Sequence, residues 1–208
     1  MNAPGIALPS EAPVMVLPGA VLFPQTIIPL RIFEPRYRAM LQWALDRDRM
    51  FCIALMRPGL VEAVTEDQFF HTAGIGLISA SVTQADGTSN LMLQGIARVR
   101  FTGFSQLAPF RIAKFETIRP VTADAGEIAA LAKSLRRQCA AIRVSGASLP
   151  ASFLELLEKI TAGDILANTI AQALVADPMG RQRLLEETDT PARLRELARI
   201  VRGEFPEG

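Results

Sequence analysis

The segment from Leu17 to Arg38, LPGAVLFPQTIIPLRIFEPRYR, constrains the fold more than any other part of the chain. It sets a Pro18-Gly19 turn, an apolar run closed by Pro24, a strand predicted over Thr26–Phe33 and a helix opening on Pro35. Pro35 suits the first helical position, where its missing N–H costs nothing. The Glu34 carboxylate is placed to accept from the unpaired N–H groups of that first turn. Tyr37, Met40, Leu41, Ala44 and Leu45 follow at helical spacing and predict one buried stripe. Arg36, Arg38, Gln42 and Asp46 are predicted to face water.

The texture of the chain changes near Pro120. Before it, β-branched residues, Gly and Pro dominate; after it, Ala, Leu and Arg do. A β-rich part over residues 1–120 and a helical part over residues 121–208 follow. In the first part, Val14–Leu17, Phe51–Met56, Gly74–Gln84, Asn90–Phe104 and Phe110–Ile118 join Thr26–Phe33 as predicted strands. Asp86-Gly87 is a hairpin signal, and Gly95 inside a strand predicts a bulge. Six strands with irregular connections predict a small distorted barrel. In the second part, helices are predicted over Glu127–Arg143, Ala151–Thr161, Asp164–Ala176 and Arg181–Glu187. A last one starts at Thr190-Pro191 and ends at Gly203. Asp164 and Thr190 are the expected caps.

Composition narrows the function. The chain has 208 residues, half of them hydrophobic, so its core needs no staples. A net charge of +1 with a single Tyr and a single Trp argues against a basic, stacking nucleic-acid surface. Cys52 and Cys139 form no C-x-x-C and no zinc spacing, and read as buried thiols in a reducing compartment. The N-terminus lacks the n-region and h-region of a signal peptide, and no apolar run is long enough to span a membrane. A cytoplasmic protein is expected.

In order and spacing, the motifs resemble the Lon protease N-terminal (substrate-binding) domain family. Leu17–Arg38 is similar to its opening. Gly76-Leu77-Ile78, Asp86-Gly87 and Gly95–Phe101 are similar to its central hairpin, and Pro109–Ala113 to the strand after it. Asp164–Ala171, Arg181–Glu186 and Thr190–Leu194 resemble its later helices, with Asn168 and Arg181 where that family carries Asp and Lys. The resemblance implies an α+β fold: a PUA-like six-stranded distorted β-barrel with an inserted helix, followed by a C-terminal helical bundle. It also implies a free-standing member without ATPase or peptidase domains. Its partners would be unfolded or peptide-like protein segments in protein quality control, with a protease or chaperone alongside. A homo-oligomer would be one way to cover apolar surface. An RNA-binding or regulatory PUA-like module is the alternative.

The residue inventory offers little chemistry. His71 is the only histidine, too few for a triad or a histidine metal site without visible partners. Cys52 lies in an apolar strand, the opposite of a thiolate environment. Glu66-Asp67 and Glu186-Glu187 are sequence neighbours that diverge on any regular element. No phosphate-binding G-x-x-x-x-G-K-[ST] occurs. No catalytic residue, metal or cofactor is therefore expected. The candidate substrate-binding residues are Leu22, Phe23, Pro24, Ile32 and Phe33, an apolar cluster, with Glu34 and Arg98 as charged positions. Those two charges read either as an anchor in a peptide groove or as an ion pair tying the helix start to the hairpin.

Overall fold

The computed structural model describes residues 6–121, 123–144 and 147–205. The first five residues of the stretch read against a signal peptide lie outside the described residues. The chain divides into two units between Ile118 and Arg119.

The first unit holds β1 (Glu11–Leu17), β2 (Ile27–Ile32), α1 (Pro35–Leu45), β3 (Met50–Leu55), β4 (Thr72–Thr83), β5 (Ser89–Gln106) and β6 (Arg111–Ile118). The sheet order is β2-β5-β4-β3-β1-β6, and a further pairing of β6 with β5 closes the ladder into a ring. β5 makes this closure because it is 18 residues long. Its first part pairs with β2 and its last part with β6. Only β1 and β3 run parallel; the other pairings are antiparallel.

Two apolar cores occupy the two faces of this sheet. Val14, Val16, Cys52 and Ala54 point into one, with Ile75, Val99 and Phe101. Met15, Phe51 and Ile53 point into the other, with Leu91, Leu93 and the α1 residues Tyr37, Met40, Leu41 and Ala44. β3 is apolar throughout because both of its faces are covered. Tyr37 anchors α1 to β1: its hydroxyl donates to the Val16 carbonyl at 3.0 Å and accepts from the Val16 N–H at 3.3 Å. Burial pushes that phenol up from its ordinary value.

The predicted bulge lies at Gly95. Ile75 opposes Ala97 while Gly76 opposes Gly95, so Ile96 is the extra residue. An extra residue reverses which face later side chains take. Upstream, Leu91 and Leu93 face the α1 core; downstream, Ala97, Val99 and Phe101 face the other one.

Several expectations at element ends are corrected. Glu34 is the N-cap of α1 but makes no capping bond; its carboxylate accepts from Arg36 Nε at 2.9 Å. Arg36 therefore does not simply face water, and also pairs with Glu62 at 2.6 Å.

The second unit contains α2 (Ala125–Ala141), the short pair β7 (Arg143–Val144) and β8 (Ala147–Ser148), α3 (Ala151–Lys159), α4 (Gly163–Leu174), α5 (Pro178–Glu186) and α6 (Thr190–Glu204). The two-residue strands carry no sequence signal of their own. α6 packs against α2, α4 and α5. Leu135, Leu166, Ile170, Leu184, Leu194 and Leu197 are buried here. Two expected caps move by a residue or more. α4 begins at Gly163 behind Ala162, so Asp164 lies within its first turn. α6 begins at Thr190, and Asp189 caps it by accepting from Ala192 N–H at 2.7 Å. Arg181 ties down the end of α4, its Nε and Nη2 donating to the carbonyls of Val175 and Ala176 at 2.7 and 3.2 Å. That fork satisfies carbonyls where helical partners run out.

Candidate functional site

The loop between β1 and β2 is where the apolar cluster of the sequence lands, and the structure turns it inward. Leu22 and Phe23 are fully buried, Pro24 is buried, and Ile32 is 1 % exposed. The Leu22–Phe23 backbone lies directly on the sheet. A Cβ at Gly74 would sit 2.0 Å from the Leu22 carbonyl oxygen, and one at Gly95 would sit 2.0 Å from that of Phe23. Gln25 N–H donates to the Gly95 carbonyl at 2.7 Å, and Gly95 N–H to the Thr26 carbonyl at 2.8 Å. These four side chains are core packing rather than open surface. Sequence alone could not separate the two, because a stiff apolar loop looks the same folded in or out.

Arg98 is 4 % exposed and opposes Gly74 in the β4–β5 ladder. Directly opposed residues share a face, so Arg98 lies on the face that the Leu22 carbonyl covers. Glu34, by contrast, is partly exposed and ion-paired to Arg36 at 2.8 Å. Its link runs through Arg36 to Glu62, in the connection between β3 and β4.

Phe33, last of the candidates, is 60 % exposed. It ends a surface that the sequence did not reveal. β2 is an edge strand, and its outward residues alternate with buried Ile28 and Ile32. Two cross-strand rows run over β2, β5 and β4. One is Pro29, Met92 and Ala80; the next is Arg31, Asn90 and Val82. Together they line a concavity of about 470 Å³. Ile27, Val82 and Met92 are exposed alongside Phe33. The signal was present in the alternation of β2, but it needed the register of three strands to become a surface.

The His71 ring packs against Phe69 at 5.6 Å, and its Nε2 lies 3.0 Å from the Glu66 carbonyl. Burial pushes the Cys139 thiol up to about 11 and drives Cys52 upward as well. Among the described residues, no cluster of His, Cys, Asp and Glu could hold a metal ion. No described helix is long and apolar enough to cross a membrane.

The model of the ATP-dependent protease La (LON) substrate-binding domain matches residues 11–203. The chain belongs to that family. Lon protease of Trichlorobacter lovleyi is 28% identical over 190 residues, covering 91% of this chain and 23% of that protein. Lon protease of Escherichia coli K12 is 24% identical over 195 residues, covering 94% and 25% respectively. The chain thus spans about a quarter of the Lon proteases it matches. Among solved structures, the N-terminal domain of Mycobacterium avium complex Lon protease superposes with a TM-score of 0.74 at 20% identity. It covers 92% of this chain and 97% of that one. A Lon N-terminal domain protein from Xanthomonas campestris gives 0.64 at 23%, covering 90% and 96%. These likenesses support the α+β fold of a Lon N-terminal domain.

Proposed function

We propose that this Lon-type domain is a non-catalytic recognition module that binds apolar segments of unfolded polypeptides. The observation that carries the reading is the exposed apolar face of β2, β5 and β4, with Phe33 at its end. Unfolded chains display scattered apolar side chains, and a shallow apolar trough takes many of them loosely. Membership of a substrate-binding family supports protein as the ligand. A role in cytoplasmic protein quality control, beside a protease or chaperone, follows from that ligand class. Phe33 remains a contact residue in this reading, while Leu22, Phe23, Pro24 and Ile32 hold the surface in shape. Arg98 and Glu34 act as supports.

Of the barrel arginines, Arg98, Arg100 and Arg111 are already engaged in the fold. Arg98 is buried, and Arg100 lies 3.8 Å from Glu116. Arg111 donates to the carbonyls of Ala63 and Val64 at 2.6 and 2.8 Å.

The test is binding of a reduced, alkylated protein, read by fluorescence anisotropy. Removing two anchors that each contribute about 1.5–3 kcal/mol when buried should weaken binding by at least about tenfold in Val82→Asp/Met92→Asp. Both side chains are exposed, so the melting temperature should hold. Equal binding by the double variant would reject the reading, as would no binding by the wild-type protein.

A further inference from the structure

The trough on β2, β5 and β4 carries one charged side chain, and its setting selects among apolar segments. Arg31 lies in the row with Asn90 and Val82, beside the row of Pro29, Met92 and Ala80. The lining contains no Asp or Glu. The Arg31 side chain is exposed and, among the described residues, makes no hydrogen bond or ion pair. Most arginines around the barrel are occupied. Arg36 holds Glu34 and Glu62, Arg57 donates to the Asp67 carbonyl, and Arg111 straps the Ala63–Val64 backbone. The carboxylate that Arg31 influences is Asp86, in the β4–β5 turn. Hydrogen bonds from Thr88 are the main cause that holds Asp86 below its ordinary range, with Arg31 and Arg38 contributing less. Asp86 accepts from Thr88 N–H at 2.9 Å and from its hydroxyl at 2.8 Å. Arg38 lies against the same turn, its Nη2 where a Cβ on Gly87 would sit, so both guanidinium groups act on that single carboxylate.

We propose that the trough prefers apolar segments of unfolded proteins that carry Asp or Glu two residues from the anchoring side chain. This rests on the reading of the trough as a protein-binding face. The spacing comes from the strands. Successive outward rows are two residues apart, roughly 7 Å, and an extended peptide lying along them repeats at the same interval. A side chain seated beside Met92 therefore places its neighbour two positions on against Arg31. The arginine stem covers apolar surface while its planar head stays in water, free to take a carboxylate with two parallel bonds.

The experiment uses peptides capped at both ends, so that no terminal carboxylate contributes. Each carries one leucine anchor and, two positions on, Glu, Gln or Lys. Binding to the full chain is measured at low and high salt, for the wild type and Arg31→Glu. The wild type should bind the Glu peptide roughly two- to fivefold tighter than the Gln peptide, with the Lys peptide weakest, as befits an exposed ion pair. Added salt should compress that order. Arg31→Glu should invert it, with the Lys peptide strongest. Equal affinities for all three peptides, lost together in Val82→Asp/Met92→Asp, would overturn the charge preference and leave the apolar face standing. An order that persists in Arg31→Glu would assign the preference to another residue and overturn the proposal. Absence of binding by any peptide, and by unfolded protein, would remove the underlying reading and this inference with it.

Discussion

Single atoms set the packing at Gly74 and Gly95. At each, a backbone carbonyl occupies the place of a side chain, so the first methyl added must move main chain. Gly95→Ala should cost about 1–3 kcal/mol, as overpacking does in well-filled cores. Gly103 is the control: it lies in the same strand, and a methyl there would have nothing within 4 Å, so its alanine variant should unfold close to wild type in urea. Similar urea midpoints for the two variants would contradict the packing assigned to the Leu22–Phe23 loop. The thiols give a pH signature. Cys139 titrates at about 11 in the folded protein against an ordinary 9.0. The folded state therefore holds its proton more tightly than the unfolded chain. That contribution to stability is complete below pH 9 and is lost as pH rises through about 11. Between these values the urea midpoint of the wild type should fall more steeply than that of Cys139→Ala. Parallel slopes would contradict it.

At the scale of elements, β2 shows how an edge is kept open without becoming sticky. Pro29 lies mid-strand and lacks an N–H, which a sheet tolerates at an edge where that side faces outward. It also removes a donor that a second chain would use to add a strand. Pro29→Val should restore that donor and raise self-association, seen as a concentration-dependent mass in light scattering. An unchanged monomer–dimer distribution would show that the edge is protected by other means. Strong local signals made many elements legible in the sequence. Asp86-Gly87 marked the β4–β5 turn, Gly95 marked the bulge, and Pro35 marked the start of α1. Caps were less legible. Asp164 and Thr190 have capping chemistry, yet Asp164 is displaced into the first turn of α4 and Asp189 outcompetes Thr190 by one position. The β7–β8 pair is too short for any periodicity to show. The candidate site was half legible. Phe33 stood out as apolar, but Met92 and Val82 join it only through the pairing of β5 with β2 and β4, which local sequence does not encode.

For the whole molecule, the barrel unit and the helical unit each bury their own apolar residues. The apolar face belongs to the barrel unit alone, built from β2, β4 and β5. In the proposed reading, these paired strands hold the trough in place while the ligand adapts, an arrangement suited to weak and varied partners. Exposed apolar residues also occur elsewhere on that unit, at Val61 and Val64 in the connection strapped by Arg57 and Arg111. They take no part in the recognition proposed for the trough. Methyl NMR on the full chain, titrated with a reduced and alkylated protein, separates the two surfaces in one spectrum. The methyl signals of Ile27, Val82 and Met92 should shift together while those of Val61 and Val64 stay fixed. Shifts at Val61 and Val64 with Ile27, Val82 and Met92 unmoved would contradict the assignment of the trough as the binding face.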